Sequence, residues 1–401
     1  MDALSRRVWL EIDLDKLKSN FAKIAHAVRP AGVLCVLKAN AYGLGVLPYA
    51  RALAEGQNKF SRWLSASQVL PYARALAEGA AGFGVAEPFE ALQLTDAMER
   101  GELPAKHVQI LSSIIPDEIS PMLEKDVALP VIDLDTAKLI SEAAGKLGVT
   151  AKVHFKIDTG MGRLGIQAAD AVRTVEEVVK LPNLDCEGIF SHCPMAYDPV
   201  DPFTSGQIRL FKSIVEELAA KGISFRMVHM AASDAINNFP ETARPPFNIV
   251  RTGINLHGSF DPNGRRSLAV ENVLTLKTRV AQVRTLGPGT TLGYGRTWCL
   301  NRPTRVATIS AGYADGLPLH LGNRGRVSIA GVPCPIIGRI SMDYTTVDAS
   351  DVPDVKPGDE VVCLGGTGPA TVTPDDWAIL KGTHAYDIIC SFGNRVERRY
   401  V

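Results

Sequence analysis

The feature that most constrains this chain is an alternation. Eight short apolar runs, Val33–Leu37, Gly82–Ala86, Val108–Ser112, Leu129–Ile132, Lys152–Ile157, Glu187–Ser191, Arg226–Met230 and Ile249–Ile254, lie between stretches of helical spacing. Those stretches include Glu87–Met98, Thr136–Leu147, Ala168–Lys180 and Gly206–Ala220, and Asp13–Ala27 carries Leu14, Leu17, Phe21 and Ile24 at the same spacing. Short apolar runs without polar alternation read as strands buried on both faces, as in a parallel sheet. Eight such units fit a closed (β/α)8 barrel of the TIM type, and an open doubly wound α/β sheet reads similarly.

From about Asn263 the helical spacing fades. Short β-rich runs take over at Leu274–Val283, Arg305–Ser310, Arg326–Ile329, Tyr344–Val347 and Glu360–Leu364. Gly287-Pro288-Gly289, Gly331-Val332-Pro333 and Lys356-Pro357-Gly358-Asp359 read as turns between them. This predicts a barrel over 12–262 and a mostly β domain made of 263–401 together with 1–11, the stretch Val8–Asp13 adding a strand. At 401 residues the chain is long enough for both.

Lysine plus arginine equal aspartate plus glutamate at 43 each, so nothing in the charge points to nucleic acid or an anionic membrane surface. The N-terminal residues run into WLEIDLDKL without an apolar signal region, and no apolar run approaches a membrane span. Seven cysteines without CxxC or CxxH spacing suit reduced thiols and no structural metal, so a cytoplasmic location is expected.

One segment occurs twice. VLPYARALAEG stands at Val46–Gly56 and again at Val69–Gly79, a period of 23 residues. Lys38 to Phe83 spans 45 residues, against 25 from Phe83 to Val108; removing one period leaves 22. A tandem duplication in the first strand-to-helix connection explains this spacing. Either copy could supply the barrel helix.

The first apolar run ends on Lys38 and opens into Ala39-Asn40-Ala41-Tyr42-Gly43-Leu44-Gly45. A lysine at the C-terminal end of a buried strand loses charge easily, and a neutral amine can form a Schiff base with a carbonyl cofactor. An arbitrary strand-end lysine more often only snorkels to the rim. This stretch, however, resembles the pyridoxal phosphate lysine motif of alanine racemases, with Leu44 where histidine is common. The resemblance extends over nearly the whole chain. It implies pyridoxal 5'-phosphate as cofactor, held covalently by Lys38, with Tyr42 beside it.

A second motif, Lys156-Ile157-Asp158-Thr159-Gly160-Met161-Gly162-Arg163-Leu164-Gly165, resembles the family's K-x-D-T-G-M-x-R-L-G segment. Taken alone it could be a surface salt bridge among Lys156, Asp158 and Arg163, worth little. The resemblance implies instead a carbamylated Lys156 holding Arg163, which binds the cofactor's phenolic oxygen and orients substrate. His192 follows the strand GIFS, where the family stacks a histidine on the pyridine face. Ser233, in HMAASDA, falls on the phosphate-binding serine, with Ala232 replacing an asparagine. Val250-Arg251-Thr252-Gly253-Ile254 resembles V-R-x-G-I. This puts Arg251 against the pyridine nitrogen and the backbone of Gly253 and Ile254 on phosphate. A guanidinium donates but does not accept, so it keeps that nitrogen unprotonated and disfavours decarboxylation. His257 stands where tyrosine is common.

In the β domain, Gly293-Tyr294-Gly295 resembles the segment carrying the family's second base, Tyr294. A tyrosine ordinarily titrates at about 10, so such a role needs neighbours that favour phenolate. The resemblance further implies Tyr313 at the substrate entrance and a backbone amide of Met342 on the substrate carboxylate, with Ser341 replacing cysteine. It also places a phosphate-contacting tyrosine near Gly393–Val396, where this chain has Asn394. The function implied is racemisation of L- and D-alanine for peptidoglycan. The enzyme would be a homodimer with active sites shared between subunits, Lys38 and Tyr294 acting on opposite faces of the amino-acid substrate. The rival readings are a racemase of another small amino acid, such as serine, and a non-catalytic pyridoxal phosphate-binding barrel. The latter would need neither a β domain nor Tyr294.

Overall fold

The computed structural model describes residues 6–54 and 79–401. All eight predicted strands form, and they are parallel neighbours in the order His107–Ile110, Gly82–Val85, Gly32–Val36, Ile249–Thr252, Met227–His229, Leu184–Phe190, Ala151–Asp158 and Leu129–Val131. The ring closes where Gln109 bridges Ala128, with Ala128 N donating to Val108 O at 2.9 Å and Ile110 N to Ala128 O at 3.0 Å. Closure decides for the barrel over the open sheet. Val33, Leu34, Cys35, Phe83, Ile110, Leu129, Val153, Phe155, Ile189 and Val250 are buried along these strands.

The helices begin where side chains cap them. Asp13 accepts from Lys16 N at 2.8 Å ahead of Leu14–Ala27, and Asp133 accepts from Thr136 N at 2.6 Å ahead of Leu134–Leu147. Asp201 likewise opens Pro202–Ala220, four residues before the periodicity predicts, because an Asp-Pro start extends the helix N-terminally.

The C-terminal region builds an eight-stranded sheet around the 13-residue strand Leu274–Leu286. Trp9–Ile12 pairs antiparallel with this strand and parallel with Glu397–Tyr400, so the chain start does add a strand. The predicted turn at Gly331-Val332-Pro333 is displaced. Ala330 and Gly331, at φ +51° and +80°, make the two-residue turn, and Val332–Pro335 pairs with Arg326–Ile329. Positive φ at both central residues suits the right-handed twist of a hairpin. Two short helices, Pro374–Lys381 and Ala385–Cys390, also fold here, the first opened by a Thr373–Asp376 capping box.

The first repeat copy forms the helix Val46–Ala54. The second copy lies outside the described residues except for Gly79. The chain returns beside its point of departure: Ala80 N donates to Leu53 O at 3.0 Å, and a Cβ on Gly79 would sit 2.6 Å from Ala54 O.

Candidate active site at the barrel mouth

The strand carrying Lys38 does not open into an ordinary turn. Ala39, Asn40, Ala41 and Tyr42 all have φ between 52° and 60°, a left-handed helical turn finished by Gly43 and Gly45 at φ +81° and +104°. Left-handed backbone costs a non-glycine residue roughly 1–2 kcal/mol. It persists because neighbours over-determine it. Val46 N donates to Asn40 Oδ1 at 2.8 Å, Gly45 N to Asn40 O at 2.9 Å, and Asn40 N to Glu90 Oε1 at 3.3 Å. From the C-terminal strand, Arg398 Nε donates to Gly43 O at 3.0 Å and the Tyr400 hydroxyl to Leu44 O at 2.8 Å. The turn that positions Lys38 is thus locked by both halves of the chain.

Around Lys38 the barrel gathers cations. Burial and the Arg163 guanidinium lower its pKa below the ordinary lysine value. Lys156 is buried and donates to Leu111 O at 2.6 Å. Burial, then Arg251, Arg163 and Lys38, push its pKa down to about 8. Asp158 makes no ion pair with the Arg163 guanidinium, and takes only its backbone N–H. Its Oδ1 accepts from the N–H groups of Gly160, Met161 and Gly162 at 2.9, 2.8 and 3.1 Å, which shapes the loop that carries Arg163. Against the cost of burial, these bonds lower its pKa.

Arg251 is 4% exposed and fully engaged at its outer nitrogens. Nη1 meets His229 Nδ1 at 2.7 Å, while Nη2 donates to Ser191 O at 2.7 Å and to Met230 O at 2.9 Å. Burial lowers its pKa to about 10, so it stays a cation at neutral pH. His229 therefore accepts at Nδ1 and carries its proton on Nε2, its ring stacked 5.0 Å from Phe190. His192 lies 3.5 Å from Arg251 Nη2; burial and that cation push it down to about 3, leaving a neutral ring.

Beside this group sits a pocket of hydroxyls. Gly253 N donates to Ser233 Oγ at 3.1 Å, and a Cβ on Gly253 would fall 2.1 Å from the Tyr42 hydroxyl, so only glycine fits there. Tyr386 lies near Ser233 and packs its ring 5.8 Å from Tyr42. The short turn Ile254–His257 begins at this point, and its first N–H groups have no acceptor within the turn. Hydroxyls, free amides and a glycine notch suit a phosphate group, and a lysine of lowered basicity suits an aldehyde. The residues present fit pyridoxal phosphate.

Other predicted residues stand apart. Tyr294 is 73% exposed on a short turn between the strands Thr291–Leu292 and Trp298–Cys299, sharing a shallow depression with Arg339, Ser341 and Tyr344. Tyr313 and Met342 adjoin one another through Tyr313 N to Ser341 O at 3.0 Å and Ala314 N to Met342 O at 3.1 Å, and both are exposed. Within one chain, then, the structure brings together Lys38, Tyr42, Lys156, Arg163, His192, Ser233, Arg251, Gly253 and Ile254. Tyr294, Tyr313 and Met342 are exposed residues of the C-terminal region.

The sequence resembles the alanine racemase N-terminal domain model over residues 12–61 and 66–261, and the C-terminal domain model over 273–400. The chain belongs to the alanine racemase family. The alanine racemase of Halothermothrix orenii is 33% identical over 399 residues, covering 99% of this chain and 97% of that one. The crystal structure of alanine racemase from D-cycloserine-producing Streptomyces lavendulae superposes with a TM-score of 0.85 at 30% identity, covering 99% and 98% of the two chains. That of Bartonella henselae, described with covalently bound pyridoxal phosphate, gives 0.80 at 27%, covering 99% and 100%. The enzyme is an amino-acid racemase, an isomerase dependent on pyridoxal phosphate, acting on alanine.

The departures from the family pattern have local reasons. His257 is buried, its Nδ1 3.1 Å from the Tyr49 hydroxyl and its ring 4.9 Å from that of Tyr42. Ser341 closes its own turn, donating to Tyr344 O at 2.7 Å. The tyrosine expected near Asn394 is elsewhere: Asn394 takes a bond from Arg6 through its carbonyl, and Tyr386 supplies the phenol at Ser233. Sequence reading missed Tyr386 because its helix lies in a region read as β; the Thr373-Pro374-Asp375-Asp376 capping signal was the available clue.

Proposed function

We propose that racemisation uses two bases, Lys38 and the Tyr294 of a second copy of the chain, in a homodimer with shared sites. Pyridoxal phosphate, when bound, withdraws electrons from the substrate and acidifies its Cα–H. Inversion needs one base on each face of a planar carbon. Lys38 Nζ, lowered in basicity, takes or returns the proton on one face. Tyr294 is an exposed phenol on the C-terminal region, open to a second copy of the chain. A head-to-tail two-fold axis delivers it to a partner, once per site.

The remaining roles follow from charge and donors. Arg251 holds the pyridine nitrogen unprotonated, and neutral His192 lies against the ring. Tyr42, Ser233, Tyr386 and the backbone of Gly253 and Ile254 hold phosphate. Arg163 orients the phenolic side and the substrate. Lys156 reacts with carbon dioxide as its neutral amine. The resulting carbamate puts a negative charge amid Lys38, Arg163 and Arg251, where the bare ammonium adds a fourth positive one. Met342 binds the substrate carboxylate through its amide, and Tyr313 lines the entrance. The division into 12–262 and 1–11 with 263–401 separates cofactor binding from base donation. The product serves peptidoglycan synthesis in the cytoplasm.

The observation that carries this reading is the contrast between a cofactor pole gathered at the barrel mouth over buried Lys156 and Arg251 and a Tyr294 that is 73% exposed on the C-terminal region of the same chain. Chiral analysis of products from a panel of L-amino acids tests the substrate. Alanine should turn over fastest, and a preference for serine would favour the broader small-amino-acid reading.

A further inference from the structure

At the end of the barrel opposite Lys38, three strands send donors to one point. His107 opens the strand His107–Ile110, His154 lies within Ala151–Asp158, and Glu187 sits at the register shift of Leu184–Phe190 against Val153 and His154. Glu187 Oε2 is 3.1 Å from His154 Nε2 and 3.7 Å from His107 Nδ1, and all three donors lie within 4.8 Å of one another. A tetrahedral ion at zinc's usual bond lengths of about 2.0–2.1 Å spaces its ligands roughly 3.4 Å apart. The two observed distances bracket that edge. Two histidines and a glutamate are a donor set that zinc accepts while keeping a fourth position for water.

The surroundings agree. The His154 side chain is fully buried, whereas those of His107 and Glu187 are 16% and 12% exposed, enough for an ion to enter. A Cβ on residue 188 would lie 2.3 Å from His154 Nδ1, so Gly188 makes room for the ring. The charged groups facing the cluster are Glu187, Asp126 and Asp185 against Lys152 and Arg226, one negative charge in excess. His107 Nε2 and His154 Nδ1 have no hydrogen-bond partner, so each ring can move its proton there when its other nitrogen binds metal.

We propose that His107, His154 and Glu187 form a binding site for a zinc-class divalent cation that braces the base of the barrel beneath His229, whose ring is 5.8 Å from that of His154. The test uses holoenzyme stripped with a chelator and titrated with zinc or cobalt(II). One equivalent per chain should bind, cobalt(II) should show the visible bands of a tetrahedral ion, and the thermal midpoint should rise with activity unchanged. His107→Ala spares the buried His154–Glu187 pair and should lower metal affinity at least ~100-fold, the upper range for losing even an outer-shell partner; His107→Gln should do the same. Absence of stoichiometric binding, or equal affinity in wild type and His107→Ala, would overturn the proposal.

Discussion

The barrel mouth and the exposed face of the C-terminal sheet bury their site residues to different depths. At the mouth, Arg251 is 4% exposed and Lys156 6%, both held by hydrogen bonds, while Lys38 and Arg163 stand open at the rim. On the sheet face, Tyr294, Met342 and Tyr313 are 73%, 51% and 43% exposed. The mouth can bind and hold a cofactor alone. The sheet face holds side chains whose proposed work is on a substrate bound by a second copy of the chain.

The sharpest way to break that contrast is to disable each region in turn. Lys38→Ala should abolish essentially all racemisation together with the visible absorbance of the cofactor–lysine linkage. Tyr294→Phe should lower kcat by roughly 10²–10⁴-fold, the usual worth of a general base, and leave that absorbance intact. Loss of the absorbance in Tyr294→Phe would place the phenol in cofactor binding instead.

A smaller effect concerns the buried histidines of the mouth. Burial depresses His257 to about 3, so the folded chain keeps it neutral where the unfolded chain protonates it below about 6.5. The unfolded state then binds more protons, and folding stability falls as pH drops from about 6.5 toward 3. His257→Tyr should flatten this decline, read as urea midpoints at pH 7.5, 6 and 5. Parallel declines in both proteins would mean that His257 is not responsible.

The smallest expected effect is deletion of residues 57–79, one repeat period. Leu53 and Ala54 already adjoin Gly79 and Ala80, and the deletion places Glu55-Gly56 before Ala80, as Glu78-Gly79 stand now. Loop entropy changes only slowly with length, so Tm and kcat should stay near those of the parent or rise slightly. Lost folding or activity would show that the extra residues have been recruited structurally.

The two regions also differed in legibility. The barrel strands could be read because runs such as Val33–Leu37 are buried on both faces and leave no polar alternation. The left-handed turn could not, since Ala39 and Ala41 carry no left-handed preference; Glu90, Arg398 and Tyr400 impose it from afar. His257 looked like a departure until its bond to Tyr49, 208 positions away, gave it a reason. The spacing of Asp158 also allowed a salt bridge with Lys156 and Arg163, but backbone N–H groups of the following loop take its carboxylate. Pairings over long separations decide these cases, and spacing does not carry them.

Mixed dimers test the central claim most directly. Lys38→Ala and Tyr294→Phe chains should each give a nearly inactive homodimer, since both sites lack one base. Combined, one site of the heterodimer draws Lys38 from one chain and Tyr294 from the other. Activity should return to about half that of wild type per dimer, as one of two symmetric sites is restored. A heterodimer that forms and stays inactive would contradict the shared site, leaving Tyr294 to act within its own chain or not as a base.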